Sequence, residues 1–256
     1  MLGRKALLES TANKLWRGYA RATYAWWRLT GVRSRFLSSK GQDRWIIKKV
    51  YPDLRGGYFL ELGAGNGFAG SDTFILEQDY GWSGICIEAN PLLFAQMTSV
   101  VKRTCKCVCA CIDGNPGFVE FALTDDTGGI VSKDTDNSER VRGMLLRRLR
   151  RLGRIERLPA RTLAEVLVEH NVPPLIHYFS LDVEGAEERI LSSFPFDKYQ
   201  IQAMTVERPS QAVHALLLSV GLVLVRYHLF DGFYINNTMH SDFVALRDQR
   251  FERKMY

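Results

Sequence analysis

The chain has no apolar run long enough to cross a membrane as a helix. Its longest uncharged stretch, residues 209–225, is broken by Ser210, Gln211, His214 and Gly221, and reads as a helix, a turn and a strand. An export signal is also missing, because Lys5, Glu9, Lys14, Arg17, Arg21 and Arg28 interrupt any apolar segment near the start. The Asn236-Asn237-Thr238 sequon is therefore read as chance. There is no Cys-x-x-Cys pair, which removes the common zinc frameworks. Cysteines number five, an odd count, and Cys105, Cys107, Cys109 and Cys111 alternate along the chain. Alternate residues of a strand share a face at a spacing of ~7 Å, too far for an unstrained disulfide. These cysteines are expected to pack as small apolar groups on a buried strand, in a reducing compartment. Charge is not extreme either. Lys and Arg total 34 against 28 Asp and Glu, a net charge of +6, which suits an anionic ligand or surface but does not set the fold. A length of 256 residues fits one α/β domain with additions. The expected location is cytoplasmic, with peripheral membrane contact left open.

What is present is concentrated in one stretch. Tyr58-Phe59-Leu60-Glu61-Leu62 is a short apolar strand that runs into Gly63-Ala64-Gly65-Asn66-Gly67. Glycines at alternate positions let the backbone pass close to a ligand and take positive φ. A second apolar run, Gly84-Ile85-Cys86-Ile87, ends in Glu88. An acidic residue at the tip of the second strand of a βαβ unit is placed to accept hydrogen bonds from ribose hydroxyls. A dinucleotide site wants Gly-x-Gly-x-x-Gly beneath a pyrophosphate. Here the spacing is Glu-x-Gly-x-Gly-x-Gly. A carboxylate at Glu61 suits the ammonium of S-adenosylmethionine (SAM), which has no pyrophosphate.

Further along, strands and helices alternate, which implies a parallel sheet. Strands are expected at 58–62, 83–87, 104–109, 118–123, 175–181, 201–206, 222–228 and 233–235. A helix is expected from about residue 69, another opened by Asn90-Pro91, and one starting at Glu184. The short final connection implies an antiparallel strand at or near one edge. Residues 1–37 form a separate extension, in which Trp16, Tyr19, Thr23 and Trp26 or Trp27 fall at helical spacing beside Arg17, Arg21 and Arg28. Such a helix either lies on an anionic membrane surface or packs its aromatics on the domain, which is expected to span 38–250. Residues 125–157 form a basic insertion, rich in arginine from Arg142 to Arg154. It is either a lid over the carboxyl edge of the sheet or a solvated basic face.

Taken together, Gly41-Gln42-Asp43, the glycine turn with its strand, Gly81-Trp82-Ser83-Gly84-Ile85-Cys86-Ile87-Glu88-Ala89-Asn90-Pro91, and Leu181-Asp182-Val183-Glu184-Gly185-Ala186-Glu187 resemble the FkbM family of SAM-dependent methyltransferases. The resemblance covers roughly residues 38–238. It implies a Rossmann-like, seven-stranded class I methyltransferase sheet, mostly parallel with one antiparallel strand. It also implies O-methylation of a hydroxyl on a sugar, glycolipid or related product. Within that frame Glu61, Gly63, Ala64, Gly65, Asn66 and Gly67 are expected around the methionine end of SAM, with Glu61 facing the ammonium. Glu88 is expected on the ribose, Ala89 beside the adenine, and Cys111, Ile112 and Asp113 at the adenine edge. Asp182, at the carboxyl end of the central strand, is expected to orient the cofactor or take the acceptor's proton, with Glu184 as the next candidate and Glu207 and His228 as weaker ones. Asp182, Glu184 and Glu207 offer oxygen ligands for Mg²⁺, but no metal is assigned.

The acceptor is thus expected to be a hydroxylated glycan, glycolipid or small molecule. Two alternatives stay open. Base-directed amino methyltransferases usually carry Asn/Asp-Pro-Pro-aromatic where this chain has Asp182-Val183-Glu184-Gly185, so no specific nucleic acid is expected, although the basic insertion keeps RNA as an alternative. A non-catalytic, membrane-associated protein that keeps the fold is the other.

Overall fold

The computed structural model describes residues 36–124 and 127–238. Apart from residues 36 and 37, the expected N-terminal helix lies outside them. The chain begins with α1 (Gln42–Trp45, continued by a π-helical turn, Ile46–Val50), β1 (Tyr58–Leu62), α2 (Phe74–Tyr80), β2 (Ser83–Glu88), α3 (Pro91–Gln96, continued by a π-helical turn, Met97–Val101) and β3 (Lys106–Cys109). It leaves this alternation for β4 (Cys111–Ile112), β5 (Gly117–Ala122), β6 (Gly129–Ile130), α4 (Glu139–Arg151) and β7 (Ile155–Arg161). It then returns with α5 (Leu163–Glu169), β8 (Leu175–Leu181), α6 (Glu187–Ser192), β9 (Gln200–Glu207), α7 (Gln211–Ser219), β10 (Leu222–His228) and β11 (Asp231–Asn236).

The main sheet has seven strands in the order β10-β11-β9-β8-β1-β2-β3. Its pairs are parallel, except that β11 runs antiparallel to both of its neighbours. The turn from β10 is too short for a crossover, so β11 must return antiparallel. It slots in one place from the edge. Strands buried on both faces read as apolar runs. Along them successive side chains enter opposite cores: Leu60, Ile85 and Phe179 on one side, Phe59, Cys86 and Tyr178 on the other. Local signals set the helix starts. Pro91 follows Asn90, whose side chain accepts from Leu92 N–H, and Thr162 with Glu165 forms a capping box at α5.

Several expectations need correction. Helix α2 starts at Phe74, not near residue 69, because the side chain of Glu61 holds residues 71–73 as a loop. The third strand breaks after Cys109, and Cys111 belongs to a second sheet of order β4-β7-β5-β6. The four alternating cysteines therefore do not share one buried face: Cys111 is buried, Cys105 and Cys107 are half-buried and Cys109 is exposed. The basic insertion expected at 125–157 carries regular structure. Beyond a loop it supplies β6, α4 and the start of β7, and β7 pairs antiparallel with β5 from Gly117↔Ala160 to Ala122↔Ile155. Finally, α6 begins at Glu187 rather than Glu184, since Glu184 and Gly185 both have positive φ, 57° and 100°.

Candidate active site

The carboxyl ends of β1, β2 and β8 meet at one cavity of about 360 Å³, within the range of small-molecule sites. Gly63 follows β1 with φ 84°, and a Cβ there would lie 1.7 Å from the backbone oxygen of Asp182. Only glycine lets the two strand ends approach so closely. The N–H groups of Gly63 and Ala64 donate to the carbonyl of Ile87, both at 3.1 Å, which ties the turn to β2. Gly65, φ 57°, has nothing within 4 Å of where its Cβ would be, so its backbone faces open space. Asn66 folds the next residues by accepting from the N–H groups of Phe68 and Ala69, both at 3.0 Å. Gly67 is turned away from the cavity. Its missing Cβ makes room for Met97 Cγ, 2.7 Å from that position.

Glu88 stands at the tip of β2, buried on the cavity wall. Its Oε2 accepts from Gly65 N–H at 2.7 Å and its Oε1 from Asn90 N–H at 2.6 Å. Burial pushes its carboxyl up to about 7 despite these donors. Ala89, Leu93, Ala110, Cys111 and Ile112 line the wall beyond it. Asp113 does not. It faces Arg189 Nε at 3.0 Å and accepts from Gly114 N–H.

Glu61 also touches the cavity wall, but its carboxylate is engaged elsewhere. It accepts from Asp72 N–H at 2.8 Å, Thr73 Oγ1 at 2.6 Å, Ser71 Oγ at 3.1 Å and Cys86 Sγ at 3.3 Å. Arg103 lies 3.5 Å away with a fully buried side chain, and bonds Glu77 at 2.8 Å, Gly67 carbonyl at 3.1 Å and Thr73 Oγ1 at 2.8 Å. Glu61 therefore does not match the expectation that it faces a cofactor ammonium. It is the anchor of the loop beneath the glycine turn. That loop presents Asp72, which lines the cavity and accepts from Ser180 Oγ at 2.6 Å. Burial, and then Glu61, hold the Asp72 carboxyl well above the usual range.

At the other end of the cavity, carboxylates and cations alternate. Asp182 opens onto the cavity at the tip of β8. Its carboxyl is held well above its usual range, first by the protein crowded around it and then by Glu207 and Glu184. Glu184 lies 3.3 Å from Arg142 and 3.7 Å from Arg208. Arg208 also contacts Glu207 at 3.2 Å and pairs with Asp136. Lys40 bridges Glu207 at 3.3 Å and Asp231 at 2.8 Å. Asp136, Glu184 and Glu207 bring oxygens within 4.8 Å of one another, but the two arginines already supply the countercharge that a metal ion would bring. Asp136, not Asp182, completes this trio. His228 does not line the cavity.

The sheet order, the glycine turn on β1, the acidic tip of β2 and the acidic tip of β8 thus converge on one cavity. The methyltransferase FkbM domain matches residues 61–225, more than half of the chain. The chain belongs to the FkbM methyltransferase family. Its cofactor is S-adenosylmethionine, and its class is SAM-dependent methyltransferase.

Among solved structures, this FkbM methyltransferase is similar to a TehB-like SAM-dependent methyltransferase from Corynebacterium glutamicum. The identity is 10%, with 86% of this chain and 98% of that one covered and a TM-score of 0.39. A methyltransferase from Pyrococcus furiosus gives 13%, 89%, 98% and 0.39 for the same quantities. For a putative RNA methyltransferase from Pyrococcus horikoshii they are 10%, 77%, 79% and 0.38. No curated protein matches. Likeness this distant says nothing of the acceptor.

The described residues fit the cofactor. The Glu88 carboxylate is buried on the cavity wall and keeps lone pairs beyond its two backbone donors. The backbone at Gly65 carries no side chain, and Asp72 and Asp182 bring to the cavity carboxyl groups that a cationic ligand would favour in their ionised form. Sequence reasoning missed Lys40, Asp72, Asn90, Asp136 and Arg208. The only signal for Asp72 was its position eleven residues after Glu61, whose carboxylate it caps through its N–H. Asn90 was read only as the opening of its helix, and no motif marks Lys40, Asp136 or Arg208.

Proposed function

We propose that this FkbM methyltransferase methylates a hydroxyl oxygen on a sugar, glycolipid or related small molecule. The observation that carries the reading is Asp182, a carboxylate with a raised pKa that opens onto the cavity beside the cofactor turn. Bound in the cavity, SAM supplies an electrophilic methyl group. In this reading Glu88 accepts from the ribose hydroxyls, and Ala89, Cys111 and Ile112 flank the adenine. Gly63, Ala64, Gly65 and Asn66 leave backbone for the methionine end, and Asp72 takes the ammonium in place of Glu61.

Ionised Asp182 would accept the proton of the acceptor hydroxyl while that oxygen takes the methyl group and the cofactor's sulfonium, losing its S–CH₃ bond, would leave as a neutral thioether. A base is most useful when its pKa lies near the working pH, and burial, followed by Glu207 and Glu184, moves Asp182 in that direction. Glu184 is held by Arg142 and Arg208 at the cavity edge, where it positions the acceptor. A rim of alternating carboxylates and cations, including Lys40 and Glu207, gives a polyhydroxylated acceptor both donors and acceptors of hydrogen bonds.

The test is transfer of radiolabelled methyl from SAM to a panel of hydroxylated glycans and lipid-linked sugars. Asp182→Asn is expected to lower the turnover by roughly 10²–10⁴-fold while SAM still binds. Label recovered on RNA, or on an amino nitrogen, would overturn the hydroxyl reading.

A further inference from the structure

Helix α4 carries two unlike faces. Leu146 and Leu149 are buried against Ala122. The opposite side is Met144, Arg147, Arg148, Arg151 and Leu152, all exposed, at i, i+3, i+4, i+7 and i+8. That spacing is a single helical stripe. Met144 is 82% exposed and Leu152 61%, and Val141 at the first turn is 65% exposed. Among the described residues Arg147, Arg148 and Arg151 form no ion pair, whereas Arg150, on another side, is paired with Glu120 and Glu139. The stripe interleaves aliphatics that leave their apolar surface in water with arginines that have no carboxylate partner among the described residues. It suits the boundary between headgroups and acyl chains, where the aliphatics leave water and the guanidiniums meet lipid phosphates.

The helix is also tied to the cavity. Its regular geometry breaks at Arg142, φ −126°. The Arg142 side chain reaches inward to the carbonyl of Thr127 at 2.8 Å, to Asn137 at 3.1 Å and to Glu184 at 3.3 Å. Thr127 and Glu184 line the cavity. The outer stripe therefore starts one turn from the acceptor end of the site.

We propose that the outer face of α4 docks on an anionic lipid bilayer and brings the cavity mouth to the headgroup layer. The stripe has no aromatic residue, whereas a single-stranded RNA surface stacks bases on aromatic rings. The docking stands on the helix alone. Delivery of a lipid-linked acceptor to Glu184 and Asp182 rests on the function proposed above.

The test is co-sedimentation of the full chain with phosphatidylcholine vesicles, with and without phosphatidylserine, in the absence of SAM. Binding is expected only with phosphatidylserine and is expected to weaken as salt rises. Arg148→Ser and Arg151→Ser should each weaken it by about fivefold. Met144→Ser should weaken it without any change in charge, which a purely electrostatic contact would not show. All three side chains point into solvent, and thermal melting checks that the variants fold. No binding to the anionic vesicles overturns the proposal. So does binding that survives all three substitutions but is lost on changing the arginines of residues 1–37, or RNA binding that outcompetes the vesicles. Calorimetric SAM binding on the same preparations separates the two readings. SAM binding without vesicle affinity removes only the docking, and vesicle affinity without SAM binding removes only the enzyme reading.

Discussion

Glu88→Gln is the perturbation with the sharpest expected outcome. The carboxylate accepts from Gly65 N–H at 2.7 Å and from Asn90 N–H at 2.6 Å. Glutamine keeps the shape but turns an NH₂ donor toward one of those N–H groups. The variant should lose about 1–3 kcal/mol of stability through that mismatch. It should also lose a charged acceptor for the cofactor's hydroxyls, worth about 1.5–3 kcal/mol, or roughly 10–150-fold in Kd. The pH dependence is more diagnostic. Glu88 titrates at about 7 in the folded chain because burial opposes its charge. If SAM binds the ionised form, affinity at about pH 6 is roughly tenfold below that at about pH 8. The stability of the free protein runs the other way. A carboxyl raised by folding holds its proton more tightly in the native state, so its contribution falls as pH rises from the unfolded value of about 4.5 toward 7. Isothermal titration across this range, with thermal melts in parallel, reads both effects. A Glu88→Gln protein with unchanged SAM affinity, or with the same pH slope as the wild type, would refute the assignment of this carboxylate to the cofactor.

Three other outcomes follow from the same geometry. Arg103→Met leaves Glu61 and Glu77 buried without their cation and should cost about 3–5 kcal/mol. Urea unfolding measures it, and a loss under about 1 kcal/mol would mean that the network is not holding the loop. Gly63→Ala places a Cβ 1.7 Å from the Asp182 carbonyl oxygen. Soluble protein with normal SAM binding from this variant would show that the strand ends are farther apart than described. The turnover of the wild type should rise with pH through the raised pKa of Asp182, because the base acts when ionised. In Asp182→Asn, whatever rate remains should lack that acidic limb.

The glycine turn and the acidic strand tip that line the cavity were readable because local chain chemistry fixes them. Gly63, Gly65 and Glu88 sit at strand ends whose apolar runs are unmistakable, and β8 matches its expected bounds residue for residue. The acceptor half was not readable, because its geometry comes from distant pairs. Lys40 meets Asp231 across 191 positions and Arg208 meets Asp136 across 72. No periodicity announces such partners. Arg103 carries no sequence signal, and only the fold buries it among Glu61, Glu77, Ser71, Thr73 and the Gly67 carbonyl. β7 was missed for a different reason. It has two arginines, Pro159 and no continuous apolar run to mark a strand, yet Pro159 stands opposite Phe118 in the ladder with β5. β4 pairs with β7 only at Ala160 and Arg161, so at Pro159 the strand has an open edge, where proline is tolerated. Glu61 shows the converse error, a motif residue whose place was right and whose partners were not.

The contact between Lys40, Gln42 and Asp231 has a consequence for how the enzyme comes into being. Gln42 Nε2 donates to Asp231 at 2.6 Å, and Lys40 reaches the same carboxylate at 2.8 Å. Asp231 opens β11, the last strand of the sheet to be synthesised and one that must wedge between two strands already made. Lys40 and Gln42 both line the cavity, and Lys40 also bridges Glu207. The strand that closes the sheet is thus fastened to the cavity wall by side chains from the opposite end of the described residues, and that wall is complete only once the two ends of the fold have met.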